Sequence, residues 1–246
     1  MISKIELQNT INKYYMNGLI ESVKWEIKGK KLSVKYTSPT REMVGEVTHS
    51  NFPLEDSSIG ISNTSQLLKL IGIAGGDVLL SYIKQNKIFS KLIISDSQFT
   101  VNYTLADVLT IPKTGDYAGP EEYNLETSLD KEMILALIKA KSALEDSKTV
   151  VFKPFTNLDS EFQLELTFGG DIEYSNKVSY YLPNFVQNDV PSDFTLNFSS
   201  DLLKEILAVN KDAEKAKLYI HLGGLMKLEF KSGNTESKYY IVQKDI

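Results

Sequence analysis

The chain has 246 residues, 42% of them hydrophobic and 24% charged, with 27 lysines and arginines against 32 acidic residues for a net charge of −5. That length and apolar content suffice for one large or two ordinary domains with real cores, and they exclude a disordered tail or a stapled mini-protein. The absence of cysteine removes disulfides, thiolate metal sites and cysteine nucleophiles together, and two histidines, His49 and His221, leave little for zinc or for imidazole acid–base chemistry.

The first residues lack the basic segment and long apolar run that secretion requires, and no apolar stretch approaches membrane-spanning length, so a cytoplasmic, non-membrane protein is expected. Helical spacing opens the chain over 7–16. Alternating strands follow at 22–27, 32–37 and 42–48, the first two joined by a turn at Lys28-Gly29-Lys30. A second helix is predicted over 64–73, capped near Asn63, then strands at 78–83, 91–94 and 99–105. The stretch 106–122 holds two prolines and two glycines without a period and reads as a linker. Domain boundaries are set at 1–107 and 123–246, with 108–122 connecting them. The second half predicts a helix over 130–144 opening near Ser128, strands at 149–153, 162–168, 177–182 and 194–198, a helix over 200–209, and strands at 217–222, 225–230 and 237–242.

Each half therefore has two helices amid antiparallel strands, an α+β arrangement. A short repeat points to duplication: residues 65–71 and 200–206 share five of seven identities and fall on the second helix of each half. At about 100° per residue, the apolar positions of each helix share one side and a lysine lies across the axis. These are Lys13, Lys69 and Lys139, with Lys204 and Lys211 on the last helix. Solvated helix faces carry lysine for no further reason, and that is one reading. The other starts from Arg41 being the only arginine, since lysine suits mobile, nonspecific attraction better than fixed bidentate contact. If all four helices pack on one sheet face, their lysines make a basic surface on an acidic molecule, an electrostatic footprint for a phosphate backbone. The aromatics lie mainly in strands and Trp25 is alone, which disfavours single-strand stacking and points to duplex held without sequence readout.

No catalytic constellation stands out. Gly72-Ile73-Ala74-Gly75-Gly76 matches neither a phosphate-binding loop nor a dinucleotide fingerprint, the adjacent acids Glu121-Glu122 read as solvated, and the histidines read as packed or surface imidazoles. No catalytic residue, metal ligand or cofactor is expected.

Four stretches resemble DNA sliding clamps of the proliferating cell nuclear antigen type. They are 60–69 leading into Gly76-Asp77-Val78-Leu79-Leu80; Gly119-Pro120-Glu121-Glu122-Tyr123; Phe194-Thr195-Leu196-Asn197-Phe198; and the run from Leu225-Met226-Lys227 through Tyr239-Tyr240-Ile241-Val242. The compact linker around 102–107 looks more like clamps of T-even-type bacteriophages. The resemblance implies a closed homotrimeric ring of two-domain subunits that encircles duplex DNA with its lysine-bearing helices. It implies a subunit interface at paired edge strands near Phe99, Val101 and Tyr103 on one side and Tyr180 and Tyr181 on the other. It also implies a partner-peptide pocket at Leu225, Tyr240 and Val242, framed by Val108, Leu109, Ile111 and Tyr117. Implied partners are a DNA polymerase, an ATP-dependent clamp loader and late transcription factors. Gln243 departs from the eukaryotic family, which has proline there. Two alternatives stay open: a monomeric, non-encircling viral processivity subunit, and a β-rich scaffold that presents peptide grooves and ignores DNA.

Overall fold

Alternating buried and exposed side chains make antiparallel strand the commonest element of this chain, and the computed structural model describes residues 1–85, 88–117, 119–159, 161–170, 175–183, 185–187 and 189–244. The chain divides into two units, Met1–Asp116 with Gly233–Ser237, and Tyr117–Ser232 with Lys238–Ile246.

The first unit runs β1 (Ile2–Ser3), α1 (Lys4–Tyr15), β2 (Val23–Lys28), β3 (Lys31–Thr37), β4 (Met43–Ser50), β5 (Ser57–Ile61), α2 (Thr64–Ile73), β6 (Asp77–Gln85), β7 (Ile88–Ser95) and β8 (Thr100–Thr104). Strands β1, β6, β7 and β8 form one antiparallel sheet in that order, and β4, β3, β2 and β5 lie side by side in another. The predicted apolar stripes face inward: Leu7, Ile11 and Tyr14 from α1 and Leu67 and Ile71 from α2 are buried with Trp25, Val34, Val47 and Val78. Trp25 Nε1 donates to the Tyr14 hydroxyl at 3.1 Å, which satisfies the one polar atom that this ring would otherwise strand in the core. Asn63 caps α2, its side chain accepting from the Gln66 N–H.

The second unit repeats the plan with β9 (Leu125–Ser128), α3 (Lys131–Ala143), β10 (Thr149–Thr156), β11 (Phe162–Gly169), β12 (Lys177–Leu182), β13 (Val186–Gln187), β14 (Leu196–Ser199), α4 (Ser200–Val209), β15 (Lys215–His221), β16 (Leu225–Ser232) and β17 (Thr235–Val242). One sheet is ordered β12, β11, β10, β14, and in the other β13, β9, β15, β16 and β17 are neighbours. Ile134 and Leu137 from α3 and Leu202, Leu203 and Ile206 from α4 are buried over Phe152, Leu166 and Phe198. Phe152 and Phe198 meet edge to face at 5.3 Å.

Three expectations shift. Strands β1, β5, β9 and β13 were not predicted, each being five residues or fewer, too short to show an alternation. The cap of α3 is Asp130, accepting from the Met133 N–H, and not Ser128, which ends β9. Helix α4 closes at Val209, leaving Lys211 in the turn beyond it.

His49 sits inside the first unit, 1% exposed. Its Nδ1 lies 3.1 Å from the Thr10 hydroxyl of α1 and 3.0 Å from that of Thr235, and its Nε2 lies 3.6 Å from Glu6. Burial holds the imidazole below the usual histidine range, against the pull of the Glu6 carboxylate. The unfolded chain therefore takes up a proton, at a pH of about 6.5, before the folded one does, and stability present above that pH is lost as pH falls below it. Thermal unfolding between pH 7.5 and pH 5.5 is expected to show a fall in Tm that His49→Gln largely removes; an equal fall in both proteins would refute the assignment.

Candidate nucleic-acid interface and partner surfaces

The helices carry the predicted basic residues unequally. Lys69 is exposed and is the only charged residue of α2. Lys139 is exposed on α3, Lys204 half-buried on α4, and Lys211 exposed. Lys13 is the correction: it is 1% exposed and points into the protein. Helix α1 packs against both α2 and β4, and Thr10, one turn ahead of Lys13 on the same flank, already bonds His49 of β4. The covered arc of α1 is thus wider than its apolar stripe, which hydrophobic periodicity alone does not register. The helices also bear acids, Glu132 on α3 and Asp201 and Glu205 on α4, so the positive field is local.

The predicted subunit edges are edges here: β8 ends one sheet and β12 ends another. Phe99, just before β8, is 45% exposed, Val101 is half-buried, and Tyr181 on β12 is 42% exposed with its ring 4.6 Å from Phe155. Tyr180 is half-buried, and burial raises its hydroxyl pKa, helped by Asp130 and Glu132. Tyr103 departs from the expectation. Its ring is 3% exposed, and its hydroxyl accepts from the Asn63 N–H and donates to the Asn63 carbonyl, both at 3.1 Å. It fastens the start of α2 instead of facing a neighbour, because alternation along β8 sends Tyr103 to the core face. Tyr103→Phe is expected to cost about 1 kcal/mol of stability in chemical denaturation and to leave solution mass unchanged; a change of mass would return Tyr103 to an interface.

Residues proposed to hold a partner peptide fall in both units. In the first, Val108, Leu109 and Ile111 line a 440 Å³ cavity with Lys24, Glu26 and Lys35. Leu109 is 83% exposed and Ile111 is 5% exposed. The segment is seated by a bridge from the Ala106 N–H to the Gly60 carbonyl at 2.9 Å, and a Cβ on Gly60 would lie 2.7 Å from the Ala106 oxygen, so glycine is needed there. In the second unit, the rings of Tyr117 and Tyr240 meet at 4.9 Å, and Gly119, at φ +71°, passes against Tyr123 and Tyr240. Leu225 is 8% exposed and Val242 45% exposed, Val242 sharing the outer face of β17 with Tyr240. Unforeseen beside them is Lys227, whose ammonium lies 3.9 Å from the Tyr219 ring centroid and 4.6 Å from that of Tyr123.

No helix among the described residues is long and apolar enough to cross a membrane, and no group of three or more metal-ligating side chains is found among them. No protein-family profile matches the chain, and no curated protein matches it in sequence. Solved structures do match. The proliferating cell nuclear antigen of Entamoeba histolytica superposes with a TM-score of 0.77 at 16% identity, covering 99% of this chain and 96% of that one. A chain from the complex of the C-terminal region of FEN-1 with A. fulgidus PCNA superposes with a TM-score of 0.76 at 16% identity, covering 100% and 97%. Across its whole length, the chain has the α+β fold of the PCNA sliding clamps.

Proposed function

We propose that this chain is the subunit of a replicative DNA sliding clamp, a homotrimeric ring that encircles duplex DNA and tethers a polymerase to it. The observation that carries the reading is the repeated plan of the two units on a clamp fold: each packs two helices with sheets, one of which ends in an edge strand, and α2 and α3 carry exposed lysines, Lys69 and Lys139, with Lys204 half-buried on α4. Head-to-tail pairing of β8 with β12 of the next copy closes a ring and hides both edges. Lys69, Lys139, Lys204 and Lys211 then face the phosphates without reading bases. Val108, Leu109, Ile111, Tyr117, Leu225, Tyr240 and Val242 seat apolar anchors of partner peptides; the A. fulgidus neighbour, which is bound to the C-terminal region of FEN-1, supports that role. The work is topological, without bond chemistry or a cofactor. The compact linker supports a bacteriophage origin, with the host cytoplasm as its place and an ATP-dependent loader and late transcription factors as further partners.

Light scattering over a concentration series, followed by retention on nicked circular plasmid before and after linearisation, tests the reading. A mass of three chains, held on circles and lost on cutting, is expected. A strict monomer at high concentration sinks the ring in favour of a one-sided processivity subunit, and a trimer indifferent to DNA leaves the scaffold reading.

A further inference from the structure

The hairpin between β3 and β4 turns at Ser38-Pro39-Thr40-Arg41-Glu42. The Arg41 N–H donates to the Ser38 carbonyl at 2.9 Å, and the Met43 N–H donates to the Ser38 hydroxyl at 3.1 Å. This geometry puts Arg41 at φ +60°, a left-handed conformation that glycine or asparagine adopts at less cost. The strained position is occupied by the only arginine of the chain. Backbone strain retained where a cheaper residue would serve points to a task for the side chain.

Its surroundings indicate the task. Arg41 and Lys113 line a 570 Å³ cavity lying wholly within the first unit, with Ile20, Tyr36 and Pro112 supplying apolar wall. Lys35, also on the lining, is held by Asp116. Glu21, the one acid on the lining, accepts from the Ser65 N–H at 3.1 Å. Among the described residues, Arg41 and Lys113 have no recorded ion pair or side-chain hydrogen bond. A planar fork and an ammonium, both uncommitted, beside an apolar wall complement a carboxylate carried next to an apolar side chain.

We infer that this cavity binds a partner peptide through a carboxylate, with Arg41 as the bidentate donor, Lys113 as a second cation and an adjacent apolar side chain against Ile20, Tyr36 and Pro112. This rests on the partner-tethering reading above and names the chemistry of the partner. Arg41 sets specificity for the anion; the apolar wall supplies contact area.

The single arginine gives the test a clean reporter, because the full chain has one arginine Nε–Hε resonance. The probes are N-acetyl-Leu-Phe-Asp-amide, N-acetyl-Leu-Phe-Asn-amide, N-acetyl-Leu-Phe with a free terminus, and N-acetyl-Leu-Phe-amide, each titrated to about 10 mM. Saturable movement by either acid beyond its amide supports the inference, and the tighter of the two acids identifies the side chain or the terminus as the source. Equal movement by acids and amides, or movement by none, overturns it. Arg41→Asn, followed through the backbone amide shifts of residues lining the cavity because the variant has no arginine signal, is expected to keep or raise Tm, since asparagine tolerates the left-handed backbone, while acid-over-amide discrimination drops about tenfold. Discrimination that survives Arg41→Asn also overturns the inference. Acid discrimination without DNA retention sinks the clamp reading alone, whereas DNA retention without discrimination sinks this inference alone.

Discussion

Replacing Lys69, Lys139 and Lys204 together by alanine is expected to weaken binding to short linear duplex at least tenfold at low salt while leaving fold and solution mass intact. The fold should survive because the three ammonium groups are exposed or half-exposed and, among the described residues, make no recorded ion pair. Binding should not, because each neutralised phosphate releases condensed counterions and adds about 0.9 to the slope of log affinity against log salt. In a trimer the substitution removes these three lysines from every subunit, and only part of that set needs to touch phosphate at one time for the slope to flatten by several units. Linear duplex is the right substrate because ring topology does not retain it. An unchanged slope would move the grip elsewhere and refute the helix-borne interface. Lys13 makes the internal control: at 1% exposure, its replacement by alanine should cost stability and leave the salt slope alone.

The second large effect concerns a residue that sequence reasoning passed over. Lys141, in the last turn of α3, is 3% exposed, lies 3.0 Å from Asp201 in the first turn of α4, and donates to the Glu145 carbonyl at 2.6 Å. Its ammonium thus ties the two helices of the second unit together and satisfies carbonyls just past the end of α3. Asp201→Ala leaves that ammonium buried against carbonyls without a counter-charge. The expected cost is about 2–3 kcal/mol, below the full value for a deeply buried pair because Asp201 is half-exposed. Lys141→Met with Asp201→Ala should cost less than the sum of the two single changes, since the stranded charge leaves with its partner. The pH dependence follows. Burial raises the Asp201 pKa, but the hydrogen bond and charge of Lys141, aided by Lys148, outweigh it and hold the carboxyl below the ordinary aspartate range. Its stabilising contribution is present above a pH of about 4 and is lost as pH falls through the folded-state value. Acid titration of wild type and Asp201→Asn, followed by circular dichroism, checks this; coincident acid transitions would count against it.

Periodicity placed all four helices and the main strands because buried apolar residues recur at 3.6 or 2 positions, and Leu7, Leu67, Ile134 and Leu203 all lie where that spacing puts them. What it missed depends on neighbours distant in sequence. Lys13 is inside because β4 covers a second flank of α1, and the Tyr103 hydroxyl, which alternation along β8 carries to the core face, is satisfied there because Asn63 offers both a donor and an acceptor. Arg41 was visible as the only arginine, but its left-handed backbone emerges only once Ser38 and Met43 close the turn. Lys227 gave no signal at all in one dimension, since its aromatic partners come from positions 123 and 219.

The five residues Gly233–Ser237 belong to the unit that otherwise ends at Asp116, and Thr235 among them bonds the buried His49. On a ribosome, the first half of this protein is therefore translated long before it can be finished. About 120 further residues must be added before its last piece exists, a wait on the order of ten seconds at ordinary elongation rates. During that interval the nascent first half lacks Thr235, one of the two hydroxyls beside the His49 Nδ1. Final packing around His49 is then a late event coupled to synthesis of the far end of the chain, so a truncated product stopping before residue 233 should lose protection from proteases around α1 and β4, where Thr235 and Asn234 make their contacts.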